Sequence, residues 1–579
     1  MHALLFASLM DKLMRGVFML LPFSMRNLRR NWFFPLSVAA FFCLQITLFQ
    51  FSHVLSILLT VLAAVAMAGK TPSLVQYLRE QRPWFLIFCL LTSIGVCLGA
   101  ADVFTLRIHT LFIYADAENA GLISGLDGLA SRLSMSVGTL VNLFDAAALF
   151  AALLGVFCIT LWTVFLLRRL WQRFRPLHWL EDTPRWELAV YGLLFLAAAA
   201  AATAAFLKSQ AFYGTDYFAD VIYTTDSPAA VKRLWFLNDS WVDIRHPLFP
   251  FFSAPFTGLA YLLSRLFPAK QMWAAIFMND IQIFLLILAN YLLARLLHLT
   301  PGRRLCFTVP LFFTYSCLFS TLAVETYVIS YLWLILFLHL ILEQKQQDPI
   351  LLWGAGGTLL TSLVLTPLMS DHSPIHTFRK WFLDMWRAGL GFLFALVAFG
   401  NADLLLNLFS QGTWIQDFTG DSLVFSQRLL QYLVFLPNCF LSPEAQVLET
   451  GRGRISWWLT EPTAVSVLGI GILLLVLCSF LVNRKNKLSQ LSFFWVCFSF
   501  VILCLIGWGT RENGLNLYAL GFAWAIYVLL FQLVEKISDC LHSRYLLPLV
   551  CGAAAIGLML VNLPGLYALI QFAIQTYPA

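Results

Sequence analysis

Apolar runs of about 20 residues recur from one end of this 579-residue chain to the other, and a helix of that length crosses the ~30 Å hydrocarbon core of a bilayer. Inside lipid every backbone N–H and C=O must be paired within the protein, which leaves only helices or closed barrels. The runs are too long and too uniformly apolar for barrel strands, which alternate over about 10 residues. An all-α, polytopic transmembrane protein is therefore expected. Composition agrees, with 60% hydrophobic and 12% charged residues, against about 25% charged in soluble domains.

The net charge of +7 is distributed as a topology signal. Lys and Arg cluster in short loops, as expected of segments facing the cytoplasm, so membrane lipids are the expected surroundings and nucleic acid is not an expected partner. The twelve cysteines lie mostly inside apolar runs and form no CxxC pair, so they read as small apolar residues rather than metal ligands. Residues 1–25 are apolar but interrupted by Asp11, Lys12 and Arg15, which suits an uncleaved amphipathic helix on the membrane surface.

Charge counting yields about thirteen spans with additional juxtamembrane and re-entrant helices. Spans near 33–50 and 52–69 precede a basic loop, 70–83, and further spans at 84–101 and 141–167 lead to the basic stretch "RRLWQRFRPLHW". Residues 1–180 form an N-terminal extension of four spans; 181–400 form a core with an outer acidic loop, 208–246; 401–462 form an outer segment; and 463–579 form the C-terminal spans. Two stretches resist simple assignment. Pro247, Pro250 and Pro255 argue against a straight spanning helix at 246–267. Residues 350–369 read as a re-entrant pair of short helices broken near Gly354–Gly357. Residues 304–322 are expected to span, with Glu325 just outside.

The segment Tyr213–Phe252 stands apart from its surroundings, with Asp216, Asp220, Asp226, Asp239 and Asp243 followed by Arg245-His246-Pro247. Asp216 begins it, close to the end of the span 187–207, and Asp220 is one helical turn on. Carboxylates there can take a proton from an attacking hydroxyl or bind a divalent cation; the sequence makes no cofactor certain. Glu325 sits between two apolar runs, where ionisable residues are functional candidates. Asp280, in "MNDIQ", lies early in its span, either facing the same cavity or capping the helix with Asn279. Arg511, on a short outer turn, has guanidinium geometry suited to phosphate, with Glu512 beside it.

An outer loop that opens as "YGTDYFAD" and closes as "DIRHPLFPFF", followed by "LLARLLHLTPGRRLCFTVPLFFTYSCLFSTLAVETY", resembles the GT-C class of integral-membrane glycosyltransferases. That class includes the protein O-mannosyltransferases and lipid A aminoarabinose transferases. "GTRENGLNLYALGF" is similar to the late outer turn of that class. The likeness covers about residues 187–345 and 490–562. Tyr217 stands where the class carries a second acid, and His-Pro-Leu replaces His-Pro-Pro.

The resemblance implies a GT-C-like fold and transfer of a sugar from a polyprenyl-phosphate-linked donor to a lipid, glycan or protein acceptor. The active site would face the extracytoplasmic side of a membrane, in a bacterium the cytoplasmic one. Asp216 would be the base of a single, inverting displacement. Asp220 and Glu325 would be the other acidic positions. His246, Asp243, Arg245, Arg511 and Glu512 would bind substrate. Two alternatives carry different chemistry. One is a transporter or flippase of a lipid-linked precursor, whose acidic groups bind a cation or proton. The other is a non-catalytic scaffold with the GT-C fold.

Overall fold

The computed structural model describes residues 33–44, 53–99, 128–174, 182–213, 245–342, 349–370, 372, 375–398, 419, 423–443, 446–448, 454–456, 464–509 and 515–579. Their regular secondary structure is helical apart from one short antiparallel hairpin, Gln446–Leu448 with Arg454–Ser456. The chain divides into two compact units, Met1–Leu180 and Glu181–Ala579. Seven of the described helices are long and apolar enough to cross a membrane, or eight if one bent pair is a single span. The protein is thus a multi-pass helical membrane protein, with fewer long spans among the described residues than the thirteen expected.

In the first unit, α1 (Phe33–Leu44) and α3 (Pro83–Gly99) pack against α4 (Val137–Phe174), with α2 (His53–Glu80) beside them. The basic stretch 70–83 is not the loop expected. Helix α2 continues through Lys70 to Glu80, because Leu, Gln, Arg and Glu are good helix formers. It ends before Pro83, whose ring disfavours helical geometry at Arg82, and the chain bends by 113°. Leu74, Trp162 and Phe165 form this unit's core.

The second unit is built around two buried helices, α7 (Lys270–Leu296) and α16 (Leu515–Cys540). Around α7 lie α5 (Arg185–Phe206), α6 (Phe249–Ser264), α8 (Pro301–Phe312) and α10 (Tyr327–Leu342). Around α16 lie α14 (Ala464–Asn483) and α15 (Lys487–Ser499), and α17 (Leu546–Thr576) packs against α8. Helix α6 has sixteen residues, about 24 Å at 1.5 Å per residue, shorter than the ~30 Å bilayer core, and it runs on through Pro255.

Residues 304–322 do not make a single span. They break into α8 and a six-residue helix, α9 (Tyr315–Ser320), across an extended Thr314. A break at membrane depth is tolerable only where protein repairs the lost hydrogen bonds. Here Tyr315 N–H donates to Phe440 O (3.0 Å) and Ser316 N–H to Cys439 O (3.3 Å). Asn562 Nδ2 donates to Phe313 O (2.8 Å) and Phe440 O (2.7 Å) while its Oδ1 accepts from Ser442 N–H. Those acceptors follow α13 (Phe425–Asn438), a helix inside the stretch 401–462. Helix α13 packs against α14. A Cβ on Gly469 of α14 would lie 1.8 Å from Leu433 O of α13.

The break expected at Gly354–Gly357 falls two residues later. Helix α11 (Pro349–Thr358) contains all three glycines, and Leu359 is extended before a 3₁₀ helix, Leu360–Leu368. The glycines serve packing instead. An added Cβ would sit 2.2 Å from the Trp333 ring at Gly354 and 2.6 Å from Leu248 Cβ at Gly357.

One buried ion pair joins α5 to α8. Arg304 Nε and Nη2 grip Glu187 Oε1 and Oε2 at 2.8 and 2.6 Å. Glu187 is 0% and Arg304 3% exposed. Its neighbour Arg303 is the solvated one, pairing with Glu535 at 2.9 Å.

Candidate functional site

The Arg245-His246-Pro247 turn is held against the break after α11. Leu248 N–H donates to Gly357 O (2.8 Å) and Leu360 N–H to Arg245 O (2.9 Å). His246 is buried, and its Nδ1 lies 2.5 Å from Thr358 O. A carbonyl only accepts, so Nδ1 carries a proton, and Nε2 lies 3.5 Å from Thr326 Oγ1. Thr326 follows Glu325, so His246 and Glu325, far apart in sequence, meet at one corner. The regions 246–267 and 350–369, each ambiguous alone, form one packed assembly.

Glu325 lies in a non-helical linker between α9 and α10, buried at 5% exposure. Its Oε2 accepts from Thr326 N–H at 3.4 Å, at the N-terminus of α10, where the helix dipole favours a carboxylate. The linker's backbone is carried by two amides of α7. Asn279 Nδ2 donates to Thr321 O (2.7 Å) and Gln282 Nε2 donates to Glu325 O. Asn279 is therefore not a helix cap but a brace, and Asp280 is eleventh in α7 rather than near its cap. The oxygens Asn279 Oδ1, Asp280 Oδ1 and Gln282 Oε1 are buried with no hydrogen-bond partner.

Beside this corner is an apolar cavity of about 290 Å³. Arg245, His246 and Tyr327 line one side, and Leu359 and Leu360 continue it. Trp495, Phe522 and the π-helix Phe500–Ile506 that prolongs α15 form the other. Trp508 Nε1 donates to Tyr518 Oη (3.1 Å) at its margin, and the Tyr518 ring meets Tyr327 edge-on at 5.7 Å. A dry wall with a few polar groups at one side suits a ligand that is largely hydrocarbon with one charged end.

The start of the acidic loop is anchored at Tyr213, whose carbonyl accepts from Gln271 Nε2 at 3.1 Å. Burial raises the Tyr213 hydroxyl pKa. Asp216, Asp220, Asp226, Asp239, Asp243, Arg511 and Glu512 lie outside the described residues. Of the expected site residues, the structure thus brings together Arg245, His246 and Glu325. Sequence reasoning missed Gln282, Tyr327 and Tyr518. Only Gln282 left a signal, a polar residue amid an apolar span. Trp508 also lines the cavity. Among the described residues no three His, Cys, Asp or Glu side chains gather as a metal site. No protein-family model, curated protein or solved structure matches the chain.

Proposed function

We propose that this protein is a membrane glycosyltransferase that moves a sugar from a polyprenyl-phosphate-linked donor to an acceptor at the extracytoplasmic face of a bacterial cytoplasmic membrane. One observation carries the reading: three segments singled out by the GT-C resemblance converge on one cavity. They are the Arg245-His246 turn, Tyr327 two residues after Glu325, and Tyr518, Gly521 and Phe522 of "GTRENGLNLYALGF". The apolar wall would take the prenyl chain. Arg245 and Arg511 would neutralise the phosphate, since a guanidinium suits phosphate geometry. Asp216 would take the proton of the attacking hydroxyl, and the reaction would invert the anomeric centre. Glu325 and Asp220 would position the acceptor or a divalent cation, with His246 and Asp243 shaping the loop's base and Glu512 orienting Arg511.

A second reading, a cation-coupled transporter of a lipid-linked precursor, has its own support. The broken pair α8–α9, the buried linker behind it and the unpartnered acceptors at Asn279, Asp280 and Gln282 resemble the discontinuous helices of transporters. Reconstitution separates the two. Full-length protein in liposomes is given undecaprenyl-phosphate-linked sugars together with lipid and peptide acceptors. The transferase reading expects glycan transfer, lost in Asp216→Asn. Movement of the labelled lipid across the bilayer with no transfer, dissipated by collapsing the ion gradient, would establish the transporter instead.

A further inference from the structure

The cavity wall formed by residues 500–506 is a π-helix. Such helices close i→i+5 rings, are rare, and cluster at functional sites. This one is braced at both ends by a single neighbour, α13. At its entry, the buried Tyr432 hydroxyl lies 2.9 Å from Ser499 Oγ and its ring meets Phe500 edge-on at 5.3 Å. At its exit, Arg428 Nη1 donates to Leu505 O (3.0 Å) and Ile506 O (3.4 Å), while its Nε donates to Leu423 O (3.1 Å). Arg428 and Tyr432 are four residues apart, hence on the same face of α13, about 6 Å along its axis.

The turn beyond the wall is built to absorb a change of register. Gly507 and Gly509 both have positive φ, at 79° and 76°, a region glycine enters without steric cost. Between them, Trp508 N–H donates to Ile502 O at 3.0 Å. Returning residues 500–506 to α-helical winding removes one residue from the turn. It would rotate the following side chains by about 100° and carry Ile506 away from the cavity.

We infer that Arg428 and Tyr432 are a positioning pair that holds the last turns of α15 in π-helical register and thereby sets the shape of the apolar cavity. The brace itself stands on hydrogen bonds and packing alone. Its consequence for a lipid-linked ligand rests on the reading proposed above. Neither residue touches the cavity; both act through the wall.

The test is hydrogen–deuterium exchange of the full chain in nanodiscs, comparing wild type with Arg428→Met, Arg428→Lys and Tyr432→Phe, with and without undecaprenyl phosphate. Arg428→Met is expected to speed exchange across 500–509 by about tenfold or more, with α5 amides unchanged as the control for intact folding. Arg428→Lys keeps one donor and is expected to restore part of the protection. Tyr432→Phe keeps the ring and loses only the hydroxyl bond, so its effect should centre on 496–501. Unchanged exchange at 500–509 in Arg428→Met would overturn the brace. A brace that behaves as expected, in a wild type whose 500–509 amides gain no protection from undecaprenyl phosphate, would overturn the lipid-site reading and leave the brace standing. Protection gained in wild type and lost in Arg428→Met supports both.

Discussion

Replacing Glu187 by Gln is expected to be one of the most damaging single-atom-scale changes available in this protein. The carboxylate holds two guanidinium nitrogens of Arg304 at 2.8 and 2.6 Å and accepts from the Tyr191 hydroxyl at 3.0 Å. That guanidinium also donates from Nη1 to Leu299 O at 3.2 Å and lies over the Tyr291 ring, 5.9 Å from its centroid. With Glu187 at 0% and Arg304 at 3% exposure, water cannot substitute for the lost oxygen. At an effective dielectric of about 20, opposite charges ~4 Å apart attract by about 4 kcal/mol. Breaking one side of a buried pair costs about 3–5 kcal/mol, because the partner's charge is left uncompensated. That corresponds to roughly two to four decades in the folding equilibrium constant. Reversible unfolding in mixed micelles titrated with dodecyl sulfate, followed by pulse proteolysis, would measure it. The double variant Glu187→Gln with Arg304→Met removes both charges and is expected to recover most of the loss. A single-variant cost below about 1 kcal/mol, or a double variant equal to the sum of the singles, would refute the argument that a paired, desolvated charge locks α5 to α8.

Three further outcomes follow from the geometry. Gly469→Ala should destabilise the second unit severely, beyond the usual ~1–3 kcal/mol of overpacking, because the new Cβ would meet backbone Leu433 O at 1.8 Å; thermal unfolding in detergent would show it, whereas Gly471→Ala, with open space around it, should be nearly silent. Asn562→Leu removes the bonds that repair the α8–α9 break and should cost about 2–4 kcal/mol at about 1 kcal/mol or more per buried bond, read by the same unfolding assay. Gln282→Leu frees the carbonyl of Glu325 and, on the transferase proposed above, should cut glycan transfer by about tenfold or more through misplacement of that residue; full activity in Gln282→Leu would show that the linker's position is immaterial.

The membrane-spanning architecture was legible because it depends on the length and uniformity of apolar runs, which are local properties. Pro250 and Pro255 did not break α6, which starts at Pro250's turn and continues through Pro255. The candidate site was legible only in part. Asp-Ile-Arg-His-Pro and Glu325 drew attention as polar groups next to apolar helices, and His246 does meet Thr326 beside Glu325. Nothing in the local sequence indicated that the partner of His246 Nδ1 is Thr358 O, or that two amides of α7 carry the linker before α10. Those contacts join segments more than forty residues apart.

Charge in the sequence does not say which residue is buried. Arg303 and Arg304 are chemically alike and adjacent, yet one is solvated with Glu535 and the other is sealed against Glu187. Helical geometry sends neighbouring side chains about 100° apart, so the packing of α5 and α16 decides which arginine is buried. The glycines 354, 356 and 357 read as a breaker, but they are helical and admit Trp333, Leu363 and Leu248.

By itself, the sequence determined that this chain lives in a membrane as helices, because lipid solvates no unpaired backbone group and these apolar runs are long enough to cross it. It also marked Arg245, His246 and Glu325 as polar residues at helix ends. Only the tertiary structure decided where helices break, which charges are paired, and that a π-helical wall held by Arg428 and Tyr432 encloses the cavity beside them. The reason is physical: a broken helix, a buried charge or a π turn is unfavourable on its own, and persists only where distant residues supply the missing bonds.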